Sequence, residues 1–378
     1  MINQERIVEE FLRLVQIDSP SLHEREIADY LKRKLTDIGL EVMEDGAGQA
    51  IGNSCDDQTG NLIAIKRGNC TEAPSVMFCA HMDTVEPGRG VKPVIRDNVV
   101  YSDGSTILGG DDKAGIAAIV EMLQVIKEQN IPHGDIEVVF TVAEECGLRG
   151  SKYLDYKRLK SKMCFVLDCD GSAGTVITKA PSQYKIKSTI IGKSAHAGIS
   201  PEEGVNAIFV ASKAIAKMKL GRLDSETTAN IGVISGGKAT NIIPDMVNIE
   251  GETRSIDPDK LEKQTDEIVN ILESTAREMG AKAVIEKDLL YPRLYLEESS
   301  QPISIAVRAA VKIGQEPVLM STGGGSDANI LNGFGIPTAN LGIGMSKVHT
   351  TEEFITVDNL ILNAKYLLEI VKLLAEEE

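Results

Sequence analysis

Asp111 and Asp112 lie side by side in Gly109-Gly110-Asp111-Asp112-Lys113-Ala114-Gly115, a glycine turn ahead of the apolar residues Ile116, Ile119, Val120, Leu123 and Ile126. The three- and four-residue spacing of those apolar residues predicts a helix from about this point. A helix N-terminus favours negative charge, which accounts for one aspartate as a cap. The second is left over. Paired carboxylates on a tight turn suit a divalent cation.

Other residues that could bind metal follow strand-like segments. His81 and Asp83 come after Ser75 to Ala80, Glu144 and Glu145 after Asp135 to Ala143, and Asp168 and Asp170 after Met163 to Leu167. His349 lies in the loop after Pro337 to Gly342. In an open α/β sheet, ligands collect beyond the carboxyl ends of the strands, so all of these fall on one rim with Asp111. The His81-Met82-Asp83 spacing lets the aspartate orient the ring by hydrogen bonding. Neighbouring strand residues point to opposite faces, so Glu144 and Glu145 share a site only where the pleat ends, and Cys146-Gly147 supplies that break. One glutamate can then coordinate metal while the other moves a proton. Singly, each residue has a plain structural reading, as a cap, a solvated strand end or a packed histidine. Their common rim favours the metal.

These residues need a scaffold, and 378 residues make two domains the default. With 42% hydrophobic and 25% charged residues the chain reads as globular. Its 40 Lys plus Arg against 56 Asp plus Glu leave a net charge of -16, which argues against nucleic acid and against anionic membranes as partners. No apolar run approaches the roughly 20 residues that span a bilayer. The polar amino end, Met1-Ile2-Asn3-Gln4-Glu5-Arg6, does not read as a signal peptide. Cys55, Cys70, Cys79, Cys146, Cys164 and Cys169 show no close pairing and read as reduced thiols, so a cytoplasmic location is expected.

Ile7 to Val15 marks a first helix. A second is expected to open at Ser21, with Glu24 three residues on as a capping box, and to stop at Gly39. Strands at Asn61 to Lys66, Ser75 to Ala80, Asp135 to Ala143 and Met163 to Leu167 alternate with helices, which predicts an α/β sheet. Beyond Pro181 the order becomes strand, helix (from Ser200-Pro201), two strands, helix (from Asp257-Pro258), strand, a ferredoxin-like arrangement. After Arg293 the α/β rhythm returns. The expected organisation is a discontinuous catalytic domain, 1–180 and 294–378, interrupted by a lid or dimerisation domain, 181–293.

His81-Met82-Asp83-Thr84-Val85, Gly110-Asp111-Asp112-Lys113-Ala114-Gly115, Glu144-Glu145-Cys146-Gly147, Lys193-Ser194-Ala195-His196-Ala197-Gly198 and the late His349 together resemble, in order and spacing, a zinc metallopeptidase superfamily. It is the superfamily of peptidase T, glutamate carboxypeptidase and aminoacylase, and peptidase T-like proteins are the best match. The resemblance implies a zinc-exopeptidase-like fold with two Zn(2+) per subunit, cobalt or manganese being alternatives. By it, His81, Asp111 and a carboxylate at Asp170 hold one ion, with Asp168 the other choice for that carboxylate. Asp111, Glu145 and His349 hold the second. Asp83 orients His81, Glu144 is the general base, and the Asp111–Asp112 peptide is cis. His196 reaches the active site of the other subunit of a homodimer, and Asn241, Arg254 and the backbone of Gly324 and Gly325 contact a small peptide. The implied activity is that of a tripeptide aminopeptidase. Ser321-Thr322 stands where peptidase T proper has an arginine before its glycines, which bears on specificity.

Three other readings compete. Gly323-x-Gly325-x-x-Ala328 satisfies a dinucleotide fingerprint, but no acidic partner follows at the right distance and the clustered ligands would go unexplained. The same scaffold could act as a carboxypeptidase or on N-acyl amino acids. A metal- or peptide-binding protein without catalysis would need the ligands but not Glu144.

Overall fold

The four strands that carry the chemistry, Val76–His81, Ile136–Thr141, Cys164–Cys169 and Thr338–Gly342, run parallel, so their carboxyl ends lie on one edge. Every residue of the first two is buried, in keeping with their largely apolar sequences. The computed structural model describes residues 1–52 and 59–376, so Cys55 lies outside the described residues. The remaining five cysteines are free thiols.

The described chain forms two compact units. The first comprises Met1–Thr178, Tyr295–Ser321 and Ser326–Glu378. Its sheet of nine strands runs Glu41–Glu44, Leu62–Lys66, Ile136–Thr141, Val76–His81, Cys164–Cys169, Thr338–Gly342, Thr175–Ala180 and Leu294–Tyr295, with Val318–Ser321 on Thr175–Ala180. Antiparallel strands flank the parallel centre, so the sheet is mixed. The helix Gly110–Gln129 packs on this sheet and against the helices Gln4–Val15 and Val357–Glu376. Its small residues let it lie close, for a Cβ at Gly115 would come within 2.9 Å of the Leu167 carbonyl oxygen. A small sheet of Met345–Ser346, Phe354–Thr356, Val99–Tyr101 and Val94–Arg96, and a helix Asp327–Gly333, were not anticipated by the sequence reading.

The second unit comprises Lys179–Leu294 and Thr322–Gly325. Its antiparallel strands lie in the order Gly221–Arg222, Thr227–Gly236, Met246–Ser255, Ser182–Ile191, Lys282–Tyr291. The helices Ala207–Lys217 and Pro258–Glu278 pack on them through Val210, Ala214, Ile268 and Leu272, against Ile186, Ile190, Val247 and Ile249. This is the ferredoxin-like order with one extra edge strand. Asp257 caps its helix as expected, accepting from the N–H groups of Asp259 and Lys260. Ser200-Pro201 does not open a long helix. It makes a single 3-10 turn, Pro201–Glu203, and the helix proper starts under Asn206, whose side chain accepts from the Phe209 N–H.

The capping box at Ser21 and Glu24 is also absent. The helix runs Arg25–Ile38, and the Glu24 side chain makes no cap hydrogen bond. Both side chains are engaged elsewhere.

Candidate metal centre

His81 closes its strand with a buried ring. Its Nδ1 lies 2.9 Å from the Asp83 carbonyl oxygen. A carbonyl only accepts, so Nδ1 carries the proton and Nε2 is the nitrogen free to exchange a proton for a cation. Nε2 faces Asp111 Oδ1 at 3.0 Å. The other Asp111 oxygen, Oδ2, lies 3.2 Å from His349 Nε2, which is also 2.9 Å from Glu145 Oε1. Asp111 therefore stands between two imidazoles. Burial alone would raise its pKa, but His349 and His81 hold the carboxyl well below its usual range. Burial likewise opposes charge on His81, and Asp111 and Asp83 outweigh it, raising that pKa.

The loop under Asp111 is held from a distance. Glu353 Oε2 accepts from the N–H groups of Leu108 (2.8 Å) and Gly109 (2.7 Å), and Oε1 from that of Asp111 (3.1 Å). The Asp111–Asp112 peptide is cis, and neither residue has helical dihedral angles. Neither acts as the expected cap. Asp112 is fully buried, and its Oδ2 accepts from the His81 N–H at 3.2 Å, tying the turn to the strand end.

Asp83 meets the His81 ring mainly through its backbone. Its carboxylate is 3.6 Å from Nδ1, too far for a hydrogen bond, and the backbone carbonyl takes that role. The carboxylate instead accepts from the N–H groups of Glu144 (Oδ1, 2.9 Å) and Glu145 (Oδ2, 3.2 Å) and from Ser21 Oγ (2.6 Å).

Ligand atoms of His81, Asp111 and Glu145 lie within 4.8 Å of one another, as do those of His81, Glu144 and Asp168. The carboxylate in this set is Asp168, not the expected Asp170, which is exposed and joins neither group. The cause is Asn340 on the neighbouring strand. Its Oδ1 accepts from the Asp168 N–H at 3.1 Å and its Nδ2 donates to the Asp168 carbonyl at 2.7 Å, fixing that residue within the pleat while Asp170 lies past the strand end. Burial and then Asp111 raise the Asp168 carboxyl, and burial and then Asp168 raise that of Glu144. Imidazole and carboxylate donors are those that zinc, cobalt and manganese accept. A surplus of carboxylates where burial penalises charge is the arrangement a cation relieves, and the donor set fits one.

The other expected residues lie in the second unit. Backbone bonds from Ala197 to Asn241 (3.0 Å) and from Ile243 to Ala195 (2.9 Å) bring His196 and Asn241 together, both exposed. The Gly198 N–H donates to His196 Nδ1 at 3.2 Å, which leaves Nε2 as the protonated nitrogen. Arg254 is not an open fork. Its Nε and Nη2 donate to Glu252 (2.9 and 3.1 Å), and Nη1 donates to the Gly323 carbonyl at 3.3 Å. The Gly324 N–H donates to Thr322 Oγ1 at 3.3 Å, and a side chain at Gly325 would collide with the Tyr291 ring. Sequence reasoning missed Glu353 and Asn340. For Glu353 alone there was a signal, an acidic pair just after His349.

A sequence model described as peptidase family M20/M25/M40 matches residues 77–373. The chain belongs to that family. This M20 peptidase is 46% identical over 372 residues to an uncharacterized protein, YqjE, of Bacillus subtilis, covering 98% of this chain and 99% of that one. The solved aminopeptidase PepT of Bacillus cereus is 48% identical, with 99% of each chain covered and a TM-score of 0.90. A solved tripeptidase of Staphylococcus aureus is 44% identical over 100% of both chains, with a TM-score of 0.94. The resemblance to the zinc peptidase superfamily of peptidase T is thus borne out, together with the α/β fold and its inserted domain. The M20 chain is an enzyme, and the expectation of an exopeptidase similar to peptidase T stands with it. The dinucleotide reading of the glycine loop is set aside. Among the described residues no helix is long and apolar enough to cross a membrane.

Proposed function

We propose that this M20 peptidase is a two-metal aminopeptidase that removes the first residue of a small peptide, a tripeptide in the first instance. What carries the reading is Asp111, with one oxygen toward His81 and the other toward His349. His81, Asp111 and Asp168 would hold one ion, and Asp111, Glu145 and His349 the other. Two divalent ions, zinc by family habit, supply polarisation of the scissile carbonyl and acidification of water when bound. Glu144 takes the proton of the attacking water and returns it to the leaving amine.

His196 acts from the second subunit of a homodimer formed through the second unit. Its protonated Nε2 donates to the oxygen that gains charge as water attacks. Asn241, Arg254 and the Gly324–Gly325 backbone line the peptide. Arg254 is pre-positioned by Glu252, with the glycine loop tied to it. The setting is the cytoplasm. The aminopeptidase and tripeptidase names of the two solved relatives support the substrate class, and Ser321-Thr322 before the glycines bears on the carboxyl-end preference. A panel of di- and tripeptides, amino-blocked tripeptides and N-acyl amino acids tests the reading on zinc-loaded protein. Release of the first residue from free-amine tripeptides is expected. Cleavage confined to N-acyl amino acids or to the carboxyl end would overturn it.

A further inference from the structure

Ser21 and Glu24 leave the helix end uncapped and face the turn that carries Glu144 and Glu145. Ser21 Oγ donates to Asp83 Oδ2, and Glu24 Oε1 accepts the N–H groups of Leu22 and Ala143, each at 2.9 Å. The next two N–H groups, of Glu144 and Glu145, go to Asp83. Three successive backbone donors, 143 to 145, thus end on two buried carboxylates from distant parts of the chain. Ala143 sits at φ +52, a conformation that residues with a Cβ seldom adopt. The strand ends at Thr141, and the left-handed residue two places on sets the direction of the pair that follows. Both Asp83 oxygens are committed to residues 144 and 145, so the Ala143 N–H depends on Glu24.

We propose that Glu24 is a positioning residue for Glu144. By accepting the Ala143 N–H it fixes the left-handed turn, and so the angle at which the Glu144 carboxylate enters the centre. The inference rests on the reading of Glu144 as the base. What the turn requires of Glu24 is an oxygen acceptor at the right reach, not a charge. Burial and then Asp83 push the Glu24 carboxyl up to about 7, so near neutrality it is already partly protonated. Glutamine offers the same oxygen at the same distance. Aspartate keeps the charge but falls one methylene short.

The test compares metal-loaded Glu24→Gln, Glu24→Asp, Glu144→Gln and the double variant Glu24→Asp/Glu144→Gln on the best-cleaved peptide of the panel. Glu24→Gln should keep kcat within about threefold. Glu24→Asp should lower kcat about ten- to a hundredfold per metal-loaded centre with KM unchanged, because a small misplacement of a reacting group costs rate steeply. The double variant should be no slower than Glu144→Gln alone, since Glu24 acts through that carboxylate. In the metal-free protein, amide hydrogen exchange at residues 143–145 should rise about tenfold or more in Glu24→Asp and stay unchanged in Glu24→Gln. An active aspartate variant beside an inactive glutamine one would overturn the inference. So would multiplicative losses in the double variant, or unaltered exchange in Glu24→Asp. A fully active Glu144→Gln would remove the base reading itself, whereas an impaired Glu144→Gln with multiplicative losses removes only the role of Glu24.

Discussion

His349 and Glu145, 204 residues apart in the chain, meet with 2.9 Å between Nε2 and Oε1. The same nitrogen lies 3.2 Å from Asp111 Oδ2, so one half-exposed ring is held by two carboxylates from two other loops. His349 itself sits at φ +62, in the left-handed region. Such a backbone persists when its surroundings over-determine it, as Lys347-Val348-His349 is here by the short strands on either side, Met345–Ser346 and Phe354–Thr356.

That pairing makes metal uptake depend on pH. Asp111 and Glu145 raise the His349 pKa from 6.5 to about 10 in the metal-free protein. A raised pKa means that the charged ring's contribution to the metal-free fold is complete below pH about 6.5 and lost as pH rises through about 10. A divalent ion takes the neutral ring, so the proton must leave. Zinc affinity should therefore climb from pH 6.5 to 8.5, with protons released on binding. Calorimetric titrations in buffers of different ionisation enthalpy measure both, and a flat affinity with no proton release would contradict the assignment of His349.

The adjacent glutamates should separate cleanly. Glu144→Gln is expected to lower kcat by about two to four orders of magnitude with both metals retained. Glu145→Gln should instead reduce bound metal. Metal analysis beside steady-state kinetics distinguishes them, and the reverse pattern would exchange their roles.

Asp168 and Asp170 make a second contrast. Asp168→Asn should shed about one ion per chain, while Asp170→Asn should leave metal content and kcat within about twofold, because Asp170 is exposed and joins neither ligand group. Loss of metal from Asp170→Asn alone would restore the spacing-based expectation.

Glu353 is buried and accepts the N–H groups of Leu108, Gly109 and Asp111. Truncation in Glu353→Ala leaves these donors without their acceptor, at a cost of about 1 to 3 kcal/mol each before relaxation. The variant should melt several degrees lower and bind zinc more weakly, as Asp111 loses its footing. Thermal melts with and without metal check this, and an unchanged zinc affinity would argue against it.

If His196 works across the dimer, mixing His196→Ala with Glu144→Gln protein should regain activity, since a mixed dimer holds one intact composite centre. The statistical limit is about a quarter of wild type, set by half the dimers being mixed with one working centre each. No recovery after demonstrated subunit exchange would eliminate the cross-subunit role.

That His81, Asp111, Glu145 and His349 lie on one rim, among several other carboxylates, could be read from residue types, because parallel buried strands announce themselves as apolar runs and their carboxyl ends share an edge, while singling out these four took the family resemblance. The ferredoxin-like order was legible for a similar reason: each element has its own hydrophobic period, and the order of elements restricts how they can pair. Local patterns failed wherever a distant partner competed for the same atoms. Ser21 and Glu24 have the spacing of a capping box, yet Asp83 and the Ala143 N–H take them. Asp168 and Asp170 differ by two residues, and what holds Asp168 within the pleat is an asparagine 172 positions away. Periodicity and residue type are properties of neighbours in the chain. Hydrogen-bond partners for a buried carboxylate are settled by whichever donors the packed fold leaves without water, and only assembled strands and loops reveal which those are.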